Sequence, residues 1–85
     1  MKNDLLVQYG AIRETIRTNV ETIGKLIRQA ESLKIIVESV AEPKTKQDLS
    51  NEISKIEETI GNLIVQTNNL FDKYNEFVEA VFSGR

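Results

Sequence analysis

The only proline of this sequence stands at position 43, almost at the midpoint of 85 residues. On each side of it apolar residues recur every three or four positions, and nothing alternates with a period of two. Strands are therefore excluded and two long helices are expected. In the first half the apolar stripe reads Leu5, Tyr9, Ile12, Ile16, Val20, Ile23, Ile27, Ala30, Leu33, Val37 and Val40. Its mean spacing is about 3.5 residues, the coiled-coil period, with a stutter near Val20 and a stammer near Ala30 that cancel. The second half reads Leu49, Ile53, Ile56, Ile60, Leu63, Thr67, Leu70, Tyr74, Phe77 and Val81, and its steps of 4 and 3 alternate without a slip.

Local chemistry sets the expected boundaries. Asn3 or Asp4 can cap the first helix by accepting hydrogen bonds from its open N–H groups. The residue before a proline is pushed out of the helical region, which ends the first helix near Ala41 or Glu42. Thr45 with Asp48 resembles a capping box for the second helix; alternatively Pro43 occupies that helix's first turn, where its missing N–H costs nothing. The spans expected are a helix over about 4–41, a turn over about 42–46 and a helix over about 47–82. A connection this short leaves one arrangement for the two. The fold class is thus all-α, one domain over residues 1–85. It is an antiparallel two-helix hairpin with coiled-coil periodicity, expected to assemble into a four-helix bundle.

The need for assembly comes from a surplus of apolar positions. Ile64, Phe71 and Val78 recur every seven residues beside the second stripe, with Val65 and Phe82 close by; Leu6, Val7, Leu26, Ile35 and Ile36 lie off the first. Two helices cover one stripe each and leave a second row in water. The surplus gathers toward the open end, and four of the five aromatic residues fall in the last fifteen positions. Aromatic anchors concentrate at contact centres, so the partner interface is assigned to Leu6, Val7, Ile64, Phe71, Tyr74, Phe77, Val78 and Phe82. Folding at Pro43 brings Thr18 and Asn19 to the level of Thr67, a candidate polar layer that fixes register. It also sets Gly24 beside Gly61, which either marks a close approach of backbones or a pair of tolerated helix defects.

Catalytic chemistry is not expected. The chain has no His, the commonest general base, and no Cys, so thiolate metal sites and disulfides are excluded. A carboxylate metal site in a helical bundle needs Glu projecting from the seam, and the seam positions here are apolar apart from Thr67. The acidic residues instead find i,i+3 and i,i+4 basic neighbours, such as Glu21 with Lys25 and Lys34 with Glu38. The expectation is therefore no enzyme, no cofactor, no metal and no small-molecule substrate.

The formal net charge is -2 and neither half is basic, which disfavours nucleic acid. The aromatic end carries Asp72, Glu76 and Glu79, which anionic lipids repel, so no membrane partner is expected. "MKNDLLVQYGAIRE" lacks the apolar core of a signal peptide, so the expected location is cytoplasmic, with export by a signal-independent route left open.

A helix, a central turn reading Ala41-Glu42-Pro43 and a second helix resemble the WXG-type hairpin proteins of type VII secretion, and the small helical partners that accompany LXG toxins. The resemblance is one of architecture; Ala41-Glu42-Pro43 stands where that family has Trp-x-Gly. It is similar, too, to type III needle subunits through "PKTKQDLSNEISKIEETIGNLIVQTNN" after a central proline. Such a resemblance implies a bacterial assembly subunit or adaptor that pairs as a homodimer or with a cognate helical protein. The alternative is a small regulatory binder, phage- or plasmid-encoded, that lays a helical face on a host protein.

Overall fold

A computed structural model describes residues 2–83, without the side chains of Lys2, Asn3 and Leu5. Two helices, α1 (Lys2–Ser39) and α2 (Pro43–Ser83), pack along their length with residues 40–42 between them. They run antiparallel. Tyr9 meets Tyr74 at the open end, and Lys34 meets Glu57 toward the turn. The rod measures 65 × 15 × 14 Å, and its radius of gyration is 19.0 Å. A compact chain of this length would have a radius of gyration of about 12 Å. The core is accordingly one side chain deep: Ile16, Ala30, Ile53, Ile56 and Thr67 are its buried members, and among the described residues no large side chain is fully buried.

The second helix starts four residues before the point suggested by Thr45 and Asp48. Glu42 is its cap: the Glu42 carbonyl accepts the N–H of Lys46 at 3.0 Å, the first bond of the helical ladder. Pro43 then fills the first helical position, where its fixed φ suits the helix and its absent donor would have been unpaired in any case. Thr45 lies inside the first turn and its hydroxyl donates back to the Glu42 carboxylate, which is well placed against the positive end of the helix dipole. The first helix stops at Ser39, two residues earlier than expected. Its last turn is tightened by the N–H of Val40 bonding Val37 O at 3.3 Å, while the Ser39 hydroxyl donates to Ile36 O at 2.9 Å. Asp4 sits within the first turn of α1 rather than ahead of it, and the Asn3 side chain lies outside the described residues.

The seam of α1 differs from the one read off the sequence. Val20 is 52% exposed and Ile27 41%, whereas Asn19 and Leu26 are turned partly inward. The inward positions from Tyr9 onward are Ile12, Ile16, Asn19, Ile23, Leu26, Ala30, Leu33, Val37 and Val40. Their spacing alternates 3 and 4 throughout, so the expected stutter and stammer vanish. Both helices are regular heptad arrays.

Candidate functional site

With both seams fixed, each residue takes a heptad position, a and d forming the seam. In an antiparallel pair the two e rows lie on one flank of the hairpin and the two g rows on the other. The ion pair between Lys34 and Glu57, at 3.3 Å, joins two e positions and verifies the assignment. Both partners are about half exposed, so the pair adds at most about 1 kcal/mol.

The two flanks differ in chemistry. On the g flank α1 presents Gln8, Thr15, Thr22, Gln29 and Ile36, and α2 presents Glu52, Thr59, Gln66, Lys73 and Ala80, all exposed and all polar but Ile36 and Ala80. The e flank carries Leu6, Val20 and Ile27 from α1 against Ile64, Phe71 and Val78 from α2. All of these but Val78 are exposed large hydrophobic residues, and exposed Arg13 interrupts the α1 row between Leu6 and Val20. At the open end this flank holds an apolar groove of about 240 Å³ lined by Leu6, Tyr9, Phe77, Val78, Val81 and Phe82. A larger depression of about 650 Å³ follows, in which the charged Arg13, Glu14 and Arg17 stand beside Tyr9, Phe71 and Tyr74. The apolar character ends at the ion pair of Lys34 with Glu57.

Of the interface residues expected from sequence, the structure brings Leu6, Ile64, Phe71, Tyr74, Val78 and Phe82 to or beside the e flank. Phe77 is a half-buried seam residue that also lines the groove on the g flank. Val7 is 70% exposed on the outer back of α1, apart from the others. Val20 and Ile27 are additions. Sequence reasoning placed them in the seam, and the unbroken alternation of 3 and 4 is the signal that moves them out.

The polar layer resolves into two residues. Thr67 is buried, 5% exposed, and its hydroxyl donates to Leu63 O of its own helix at 2.6 Å. Asn19 is half-buried, and its Nδ2 is shut off from solvent without a hydrogen-bond partner among the described residues. Thr18 is exposed and faces away from the seam. Gly24 and Gly61 share a level, but the backbones do not meet there. A Cβ on Gly61 would find nothing within 4 Å, and one on Gly24 would find only Arg28 Nη1 at 3.9 Å. Gly10 is equally open. All three glycines occupy b positions, the outer margins of the e flank.

One polar contact crosses the open end. The Tyr9 and Tyr74 hydroxyls hydrogen-bond at 2.8 Å, with ring centroids 5.2 Å apart and planes tilted by 31°. The Arg13 guanidinium lies 5.9 Å from the Tyr9 ring centre, a cation–π distance. The bond to Tyr9, then partial burial, then the charge Tyr9 itself can carry raise the Tyr74 phenol above its ordinary range; Arg13 opposes this. A raised folded-state value means that the folded chain holds the proton more firmly than the unfolded one. The associated stability is full below a pH of about 10, the phenol's unfolded value, and is lost as pH climbs through the folded value. Ultraviolet titration of tyrosinate should show an up-shifted component in the parent, and Tyr9→Phe should return Tyr74 toward its ordinary range. An unshifted parent titration would mean that the hydroxyl pair does not hold in solution.

Among the described residues no helix is long and apolar enough to cross a membrane, and no three acidic side chains gather as metal ligands. No known protein family, no curated protein and no solved structure matches this chain. The fold and the two unlike flanks define a helical hairpin of coiled-coil type.

Proposed function

We propose that this chain is a non-enzymatic assembly subunit, a helical hairpin whose role is to pair through its surface with another helical surface. The observation that carries this reading is the contrast between the flanks: from Leu6 to Ile27 the row beside one edge of the seam is apolar except for Arg13, where the equivalent rows on the other edge are polar except for Ala80 and, nearer the turn, Ile36. Scattered exposed hydrophobic residues are ordinary on a folded chain, whereas a contiguous apolar patch rimmed by polar residues marks an interaction site. In its finer form the proposal gives the chain an adaptor role of the kind held by the WXG-type and LXG-partner hairpins that its architecture resembles.

A partner that binds only the folded form stabilises it by mass action, so stability must depend on the concentration of whatever covers the flank. Thermal melting followed by circular dichroism, with light scattering for mass, tests this over a dilution series. Either a melting temperature that falls on dilution or a chain only weakly helical by itself is the expected result. A single copy that stays fully helical and melts cooperatively at the same temperature at every dilution would refute the reading.

A further inference from the structure

We infer that the e flank is covered by a second copy of this chain, aligned so that the two turns lie at the same end. This rests on the assembly reading above and names the partner. The apolar part of the flank runs from Leu6 to Ile27, about 32 Å at 1.5 Å per residue, across a rod 15 Å wide. Its flat footprint is about 480 Å² per copy, so two copies bury about 960 Å² before the relief of the side chains is counted, against the roughly 1,000 Å² that a specific interface has to clear.

Charge and shape select the occupant. The flank carries little charge to be matched: Lys34 is answered by Glu57, and Arg13, its one cation without a carboxylate among the described residues, rests over the Tyr9 ring, a contact that aromatic surface from a second copy can extend. Homodimer contacts are the more apolar class of interface, as this flank is. The flank is also two ridges wide, and the open margins at Gly10, Gly24 and Gly61 flank both ridges. A single foreign helix would fill the central groove and leave these margins in water. A second hairpin covers both ridges and gives a four-helix bundle.

The orientation follows from the levels. A two-fold axis along the rod places α1 of one copy over α2 of the other at equal height. Leu6 then meets Val78 of the second copy, Val20 meets Ile64, and Gly24 meets Gly61, where the absence of Cβ lets the helices approach. Arg13 meets the Phe71 ring of the second copy, a cation–π partner, whereas an axis across the rod centred on the patch would lay it on Val20.

Because the chain has no Cys, single-cysteine variants report the contact directly. Val20→Cys and Ile64→Cys chains, mixed in equal parts and oxidised, should form a covalent mixed dimer at least about tenfold faster than Thr22→Cys mixed with Gln66→Cys, which sit on the g flank. All four positions are already exposed in the hairpin, so none removes core packing. Light scattering of the parent should give twice 9.7 kDa. Faster linking of the g-flank pair in a dimeric parent overturns the face and the orientation but leaves the assembly reading standing. A weakly helical monomer overturns the second copy alone, since such a chain still needs another partner. A fully helical monomer that melts identically at every dilution overturns both.

Discussion

Ile56→Ala is expected to destabilise the hairpin by about 2–3 kcal/mol, the lower part of the range for truncating a buried isoleucine. Ile56 is 8% exposed and lies in the seam at about the level of Ala30, itself 5% exposed. The small alanine on α1 leaves the space that the large side chain on α2 fills, so a second alanine at that level removes the contact outright. The lower part of the range applies because the core is one side chain deep. The hole opens to solvent, water enters, and the cavity penalty that a closed interior would add is partly relieved. A chain of 85 residues has about 4–13 kcal/mol in total, so this one change takes a large share. Urea unfolding followed by circular dichroism at fixed protein concentration measures it, with Ile35→Ala as the control. Ile35 is 68% exposed on the outer back of α1, where truncation should stay within about 0.5 kcal/mol. Equal losses at the two positions would mean that the seam does not carry the stability.

The physics of the two halves explains why one seam was legible from sequence and the other was not. In α2 every seam position is apolar except Thr67, so hydrophobicity and period agree and either one finds the row. In α1 they conflict at two places, Asn19 against Val20 and Leu26 against Ile27. Following the greasier or branched residue gives a stripe that slips one way and then back within a few turns. A helix packed along a straight partner has no reason to do this. Holding the heptad fixed keeps Asn19 in the seam and releases Val20 and Ile27 to the flank. The period is set by the geometry of the whole pair, whereas the identity of one residue is local, so the period is the stronger guide. The surplus of apolar residues was visible in composition. The gathering of Leu6, Val20, Ile27, Ile64 and Phe71 on one flank was not, because that needs the register of both helices at once; Val7, Ile35, Ile36 and Val65 lie elsewhere. Of the two starts the sequence offers for α2, the structure has Pro43 in the first turn: with Glu42 ahead of it Pro43 makes a complete helix start, and Thr45 with Asp48 is a weaker signal lying inside it.

Asn19→Leu should stabilise the chain by about 1–3 kcal/mol, the desolvation penalty of a buried polar group left without a partner. The Asn19 Nδ2 is shut off from water and unbonded among the described residues, and the Thr67 hydroxyl at the same level donates to its own helix at Leu63 O. Leucine has the branching and the four side-chain heavy atoms of asparagine and is apolar, and the half-buried position leaves room toward solvent for its bulkier methyl groups, so it suits a seam position flanked by Ile16 and Ile23. A buried asparagine is commonly retained because it fixes register. Here the three residues 40–42 already tie the helices into one alignment, so the hairpin itself gains no register from the amide. A rise in the urea midpoint with an unchanged slope is therefore expected, because the substitution removes a penalty without altering how much surface unfolding exposes. A fall of similar size would show that the amide is hydrogen-bonded in solution. The obvious source of that bond is a group beyond the single hairpin, and repeating the measurement on dilution would locate it: a loss confined to high protein concentration places the bond between copies, and one independent of concentration places it within the chain.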